Sequence, residues 1–149
     1  MTDDLHTRGM FFFGTLMDLD LLALVLGRRP DTAQREVAFL RGQRRVFVAG
    51  KPYPMLVPQQ GGRVEGLLVN GLSDADVERL AYYEGWEYVT DPVTVRTLAG
   101  REVATEMFTA SSGVLPDSTR DWKLDLWQRK YKPEALVQVA QTMARYGRF

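Results

Sequence analysis

Residues 63–97 read RVEGLLVNGLSDADVERLAYYEGWEYVTDPVTVRT, and this stretch predicts a strand, a capped helix and a second strand in succession. Apolar residues between Arg63 and Asn70 predict the first strand. Ser73 is placed to cap the helix, and Asp76, three residues further on, is placed to complete a capping box. After the helix the pattern returns to period two from Tyr88 to Thr97, which predicts the second strand.

Glu84 lies near the end of this helix, on the face that the helix turns toward a core. It follows Val77, Leu80 and Ala81 at the spacing i, i+3, i+4 and i+7. Burial and a position near the helix C-terminus both disfavour the charged form of a carboxyl group. We therefore expect Glu84 to be ready to take up a proton near neutral pH, as a general base requires. The same spacing equally suits a partly buried glutamate that pairs with an arginine.

Outward from this stretch, strand and helix signals alternate without a long linker, a repeat or a low-complexity tract. Met10 to Phe13 predicts a short buried strand, and Asp18 or Asp20 is placed to cap the helix that follows. Arg35 to Val48 predicts a long extended segment that is broken at Gly42. Ala99-Gly100 predicts a hairpin turn after the strand that starts at Tyr88.

The C-terminal third predicts helices over Asp121 to Lys130 and over Pro133 to Tyr146. Strands predominate in the centre and helices flank them, without a regular strand-helix-strand rhythm. We therefore predict an α+β fold with a small, strongly bent mixed sheet. The 149 residues are expected to form one domain, with a core over about 10–110 and a helical segment over about 117–149.

Composition narrows the class of protein. Nineteen basic and nineteen acidic residues cancel, which argues against nucleic acid or an anionic membrane as the partner. The absence of cysteine excludes disulfides and thiolate metal sites. The longest apolar run, Leu21 to Leu26, is too short to span a bilayer, and the polar N-terminus does not resemble a signal peptide. We expect a cytoplasmic protein that is a monomer or a weak homodimer.

A second chemical feature is the loop Gly14-Thr15-Leu16, between the first strand and the first helix. Glycine lets the backbone approach a ligand closely, and free amides at a helix start attract a carboxylate or an oxyanion. A strand-glycine-helix junction is usually only a turn. The loop is evidence for a ligand site only if Glu84 faces it.

Three blocks of the chain resemble the gamma-glutamylcyclotransferase-like family, in particular the branch that includes gamma-glutamylamine cyclotransferases and the plant avirulence-induced (AIG2-like) proteins. They are FFFGTLMDLDLLALVLGRRP from residue 11, GQRRVFVAGKPYPMLVP from residue 42 and GGRVEGLLVNGLSDADVERLAYYEGWEYVTDPVTV from residue 61. The resemblance runs from about Met10 to Thr109. It implies a small mixed β-barrel flanked by helices, with a cavity between the glycine loop and one glutamate.

The resemblance also implies a reaction and its residues. The family's loop motif falls on Phe13, Gly14, Thr15 and Leu16, and its catalytic glutamate falls on Glu84. The implied enzyme is of the acyltransferase or lyase type and needs no metal or organic cofactor. The α-amine of a γ-glutamyl compound attacks its own γ-carbonyl, which releases an amine or amino acid and leaves 5-oxoproline.

This chain departs from the family at Phe13, where the family usually has tyrosine. Either the aromatic ring alone matters, or a nearby tyrosine such as Tyr53 or Tyr82 supplies the missing hydroxyl. The departure keeps a second hypothesis open, in which the protein is a binding or regulatory module that retains the cavity without turnover. The identity of the leaving amine is not encoded in these motifs.

Other residues support a chemical role less strongly. Glu87 and Glu65 suit either a second acid in the pocket or a solvated strand glutamate. His6, the only histidine, lies in a polar tail. Arg41, Arg44, Arg45 and Lys51 suit one half-solvated face better than a nucleic acid site. Trp122 and Trp127 lie five residues apart on the predicted helix, where they either anchor it to the barrel and close one side of the cavity or form a dimer contact.

Overall fold

Residues 8–110 and 116–147 are described by the structure, which is a computed structural model. The strands are β1 (Arg8–Phe12), β2 (Arg35–Val48), β3 (Pro54–Leu72), β4 (Tyr88–Thr97), β5 (Glu102–Ala110) and β6 (Asp117–Asp121). The helices are α1 (Leu19–Leu26), α2 (Asp74–Glu84), α3 (Leu124–Lys130) and α4 (Lys132–Ala144). His6 lies outside the described residues.

Five of the strands close into a small mixed barrel. They follow the order β3-β1-β5-β4-β2, and β2 pairs again with β3 to complete the ring. The β1–β5 pairing is parallel and the other pairings are antiparallel. β6 lies outside the ring, on β2. The α+β fold with a strongly bent mixed sheet and flanking helices is therefore confirmed.

The long strands β2 and β3 bend the sheet. They pair from Arg35 opposite Val69 to Phe47 opposite Pro54, with a shift of register between Arg41 and Gln43. Gly42 lies at this shift with φ +80, a left-handed conformation that side chains disfavour. A bulge of this kind bends a strand and increases its twist. The break expected at Gly42 is therefore a bend within one strand.

Alternate residues of the strands face two different cores. Phe11, Leu68 and Val95 belong to a cluster built from strand residues alone, which fills the barrel. Their chain neighbours Met10, Phe12 and Val69 belong to a second cluster that also contains the buried faces of the helices. This period of two follows from strand geometry. The helices therefore cover one outer side of the barrel.

The capping residues of the first two helices are found as the sequence predicts. Asp18 caps α1 by accepting a hydrogen bond from the Leu21 amide at 3.0 Å. Ser73 and Asp76 form the predicted capping box of α2, with bonds of 3.1 and 2.9 Å. Within 8–110 and 116–147, no helix has the length and apolar character needed to cross a membrane.

The helix predicted over Asp121 to Lys130 is wrong at its start. Residues Asp117–Asp121 form β6, whose backbone pairs with the edge of β2, and α3 begins only at Leu124. Trp122 therefore precedes the helix. Both tryptophans are 1% exposed in the single chain, so neither forms a dimer contact through an exposed ring. Side-chain patterning missed β6 because its stability comes from backbone hydrogen bonds to a distant strand.

Candidate active site

A cavity of about 420 Å³ opens where the end of β1 meets the last turn of α2. Its wall contains all the site residues proposed from the sequence: Phe13, Gly14, Thr15, Leu16, Tyr53 and Glu84. The volume is in the range of small-molecule sites. The glycine loop and the glutamate thus lie on the same side of the molecule, as their joint use requires.

Glu84 is the last residue of α2 and lines the cavity. Burial raises the pKa of its carboxyl group to about 7. In the described part of the chain no side chain forms a hydrogen bond or ion pair with it, so the alternative of a glutamate paired with an arginine is wrong. A carboxyl group in this state exchanges a proton readily at neutral pH.

Gly85 ends the helix directly after Glu84. Its φ of 95 and ψ of 167 lie in a region of backbone conformation that is almost restricted to glycine. A Cβ atom at this position would meet no neighbour within 4 Å, so conformation and not space requires the glycine. The chain can therefore turn sharply into β4 while Glu84 keeps its place on the helix.

The loop after β1 presents the start of a short helical turn to the cavity. Gly14 precedes a 3-10 turn at Thr15–Met17, in which the Met17 amide donates to the Gly14 carbonyl at 3.0 Å. The first amides of a helical turn have no partner within it. A Cβ atom on Gly14 would lie 3.0 Å from the Pro54 ring, so glycine permits this close approach.

A hydrogen bond joins the loop to the glutamate's own helix. Thr15 Oγ1 and Tyr83 Oη lie 3.0 Å apart, and Tyr83 is adjacent to Glu84. Burial raises the pKa of Tyr83 above its ordinary value, so this phenol remains neutral. The bond fixes the distance between the loop and the last turn of α2 without placing a charge beside Glu84.

Three tyrosines line the cavity that contains Phe13: Tyr53, Tyr83 and Tyr88. Tyr82, the other candidate for the missing hydroxyl, is not among the lining residues. Its ring packs edge to face on Tyr146, with ring centroids 5.2 Å apart. Burial, and then the nearby Glu84, raises the pKa of Tyr88 to about 12. Neutral phenol groups are therefore present although the loop itself carries phenylalanine.

Trp127 closes one side of the cavity, as the sequence predicts, whereas Trp122 is not among the lining residues. The rest of this wall was not predicted, and it is lined by the α4 residues Ala135, Gln138, Val139 and Thr142. The four α4 residues follow the spacing i, i+3, i+4 and i+7, which is the pattern of a buried helix face. Gln138 and Thr142 interrupt that face with polar groups, and this interruption is the signal that was available in the sequence.

The basic cluster on β2 divides between two environments. Arg44 forms an ion pair with Asp121, with Nε and Oδ1 2.7 Å apart. Arg45 is half-buried, and its Nη1 donates to the Phe13 carbonyl at 2.9 Å. Adjacent strand residues point to opposite sides of a sheet, so Arg44 and Arg45 do not share one half-solvated face.

The two further glutamates also differ. Glu87 is exposed at the mouth of the cavity and lines it, whereas Glu65 is exposed on β3 and does not. Within 8–110 and 116–147, no group of three or more histidine, aspartate or glutamate residues has an arrangement that suits a metal ion.

Comparisons with known proteins support the family and the fold. The family model for gamma-glutamyl cyclotransferase, AIG2-like, matches residues 10–129. AIG2-like protein A of Arabidopsis thaliana is 29% identical over 143 residues, which cover 95% of this chain and 85% of that protein. A solution structure from Arabidopsis thaliana has a TM-score of 0.66 at 25% identity, covering 95% of this chain and 84% of that one. A gamma-glutamyl cyclotransferase structure has a TM-score of 0.63 at 17% identity, covering 89% and 86%, and shares the fold.

Proposed function

Because the chain belongs to the gamma-glutamyl cyclotransferase, AIG2-like family, we propose that it converts a γ-glutamyl amine or γ-glutamyl amino acid to 5-oxoproline and a free amine. One observation carries the proposal. The unpaired carboxyl of Glu84 and the loop Gly14 to Leu16 line the same cavity of about 420 Å³. A γ-glutamyl group placed between them has an acid/base group on one side and amide donors on the other.

Glu84 is the proposed proton carrier. Its carboxylate accepts a proton from the substrate's α-ammonium group, and the freed amine attacks the γ-carbonyl carbon of the same molecule. Protonated Glu84 then gives its proton to the departing nitrogen, and the bond between that nitrogen and the γ-carbon breaks. The α-nitrogen loses a second proton, which the departing amine takes up to leave as an ammonium ion. A pKa near 7 lets one side chain both accept and donate at neutral pH.

The loop amides are the proposed donors to anionic oxygen. Attack on the γ-carbonyl places negative charge on its oxygen, and amides of Gly14, Thr15 or Leu16 stabilise that charge. Because nucleophile and electrophile belong to one molecule, the cavity only has to hold the substrate in a folded pose. The proposed reaction involves no change of oxidation state and no water.

The test is an assay of 5-oxoproline release from a panel of γ-glutamyl amines and γ-glutamyl dipeptides. We expect the wild-type protein to turn over at least one member, and Glu84→Gln to lower kcat by about 100-fold or more. Glu78→Gln is the matched control, because Glu78 is an exposed residue of the same helix. Full activity in Glu84→Gln would refute the proposed role of Glu84.

The same panel tests the alternative of a binding module. Binding of a γ-glutamyl compound with no release of 5-oxoproline from any member would support that alternative. Phe13→Tyr then examines the departure from the family. We expect less than about a threefold change in kcat/KM, because three phenol groups already line the cavity. A large gain would instead show that the loop hydroxyl contacts substrate.

A further inference from the structure

Arg45 holds the start of the glycine loop from behind. Its Nη1 donates to the Phe13 carbonyl at 2.9 Å and to the Glu65 carbonyl at 2.8 Å, and its Nε donates to the Trp122 carbonyl at 3.2 Å. Burial lowers the pKa of Arg45, yet a guanidinium group remains charged in a protein. One fixed cation therefore joins three backbone segments directly behind the cavity wall.

The hydrogen bond to Phe13 has an electronic consequence for Gly14. The Phe13 carbonyl and the Gly14 N–H belong to the same peptide group. A charged donor on the carbonyl oxygen draws electron density toward that oxygen, which makes the N–H at the other end a stronger donor. The positive charge of Arg45 thereby reaches the cavity through the peptide, although Arg45 itself is not among the lining residues.

Trp122 extends the same support to a second loop, the one between β2 and β3. The Arg45 guanidinium stacks over the Trp122 ring, 5.2 Å from its centroid. The indole Nε1 of Trp122 donates to the Pro52 carbonyl at 2.9 Å, and the next residue, Tyr53, lines the cavity. The stacked pair thus holds two cavity loops, each through the carbonyl that precedes a lining residue.

We propose that Arg45, stacked on Trp122, is a positioning residue that sets the Gly14 amide toward anionic oxygen of the substrate and strengthens it as a donor. The catalytic consequence rests on the proposed function. The positioning itself does not, because it concerns contacts that exist without substrate. Arg45 touches neither Glu84 nor the reacting atoms, so its loss weakens the amide donors and leaves the acid/base group intact.

The kinetic test compares Arg45→Met and Arg45→Lys with Arg44→Met. Arg44 is the adjacent residue, is solvent-facing and paired with Asp121, and is the matched control. We expect Arg45→Met to lower kcat/KM by about tenfold to a hundredfold, since a hydrogen bond to a charged group is lost. Arg45→Lys restores part of the loss because it keeps the charge. The midpoint of the pH profile stays that of the wild type, whereas a collapsed pocket would move it.

The second readout needs no activity. In protein labelled with ¹⁵N-glycine, the Gly14 amide proton is expected to shift upfield in Arg45→Met, because its peptide group is no longer polarised. Arg44→Met should leave that resonance unchanged. Trp122→Phe keeps a ring under Arg45 but removes the Pro52 bond. It should spare the Gly14 amide, and in a second sample labelled with ¹⁵N-tyrosine it should move the Tyr53 amide. If Arg45→Met does not fold, Arg45→Gln, which also removes the positive charge, is read in the same way.

The outcomes separate the two proposals. A wild-type protein that turns over no γ-glutamyl compound refutes the proposed function, while the Gly14 shift still decides whether Arg45 acts on the loop. A folded Arg45→Met or Arg45→Gln protein with an unmoved Gly14 resonance overturns the positioning role. An equal loss of kcat/KM in Arg44→Met overturns it too.

Discussion

The two ends of α2 carry carboxyl groups in opposite states. Asp76, in the first turn, is 5% exposed and forms two bonds with the Arg28 guanidinium, at 2.6 and 2.8 Å. Burial alone would raise the pKa of Asp76, but the hydrogen bonds from Arg28 and Ser73 outweigh it and hold the pKa below its usual range. At the other end of the helix, burial acts on Glu84 without such bonds and raises its pKa to about 7.

The difference between the ends shows how one fold makes structural and reactive carboxyl groups. The helix dipole favours the anion at Asp76 and opposes it at Glu84. Asp18 is held by partners in the same way as Asp76. Its Oδ2 lies 2.9 Å from Lys132 Nζ and accepts a hydrogen bond from Gln128 at the same distance. Among these three carboxyl groups, only Glu84 lacks a partner and lines a cavity. A missing partner is therefore the structural mark of the candidate acid/base group.

The pH profile of activity should show the largest effect. In the proposed reaction only ionised Glu84 accepts the substrate's proton, so kcat/KM is expected to rise tenfold per pH unit up to a midpoint near the pKa of about 7. Activity at pH 5 is then about 100-fold below the plateau. Steady-state assays from pH 5 to 9 provide the measurement. A profile that stays flat down to pH 5 would contradict the raised pKa of Glu84.

Removing the carboxyl group at the other end should cost stability. Asp76→Ala loses both the capping box and the Arg28 pair, and we expect the free energy of unfolding to fall by about 2–3 kcal/mol. The pKa of Asp76 is lowered, so its contribution is present above the ordinary value and is lost as pH falls through the folded-state pKa. Urea unfolding at pH 7 measures the loss of stability in Asp76→Ala, and the same experiment at pH 3 measures how far that loss shrinks at low pH.

Asp74→Ala is the control for Asp76→Ala. Asp74 is an exposed residue in the same first turn, so its loss should cost only about 0.5 kcal/mol through the helix dipole. Equal costs for the two substitutions would show that the Arg28 pair and the cap contribute nothing beyond the charge.

Glu84→Gln should raise the stability of the protein, whereas Asp76→Ala should lower it. The folded-state pKa of Glu84 lies above the ordinary value of 4.5, so ionisation penalises the folded state. That penalty is absent below about pH 4.5, grows as pH rises and becomes constant above about pH 7. We expect the free energy of unfolding of Glu84→Gln to exceed that of the wild type by about 1–2 kcal/mol at pH 8 and to equal it at pH 4. A loss of stability at pH 8 would contradict the penalty.

The smallest effect is expected at Ser73. Ser73→Ala removes the side chain that accepts from the Asp76 amide, which should lower the free energy of unfolding by about 1 kcal/mol. Because Ser73 and Asp76 share one capping box, the double variant should lose less than the sum of the two single losses. Additive losses would mean that the two bonds act independently.

Local patterns predicted much of this comparison. The capping box, the inward face of α2 and the position of Glu84 follow from spacing within one helix, so residues close in sequence were sufficient. The resemblance to the family supplied the expectation that Gly14 and Glu84 share a cavity. Arg45, Tyr88 and the α4 wall were missed or misjudged, because their roles depend on neighbours far away in the chain.

Sequence alone determined the elements that bear the chemistry: a glycine at a strand end and a glutamate on the apolar face of a capped helix. Only the tertiary structure decided that, among the residues it describes, no cation pairs with that glutamate while Arg28 and Lys132 neutralise the buried aspartates. It also decided that Arg45 turns inward behind the glycine loop. The physical reason is that periodicity specifies which face of an element is buried, whereas the pKa of a buried group depends on the charges that the fold places around it.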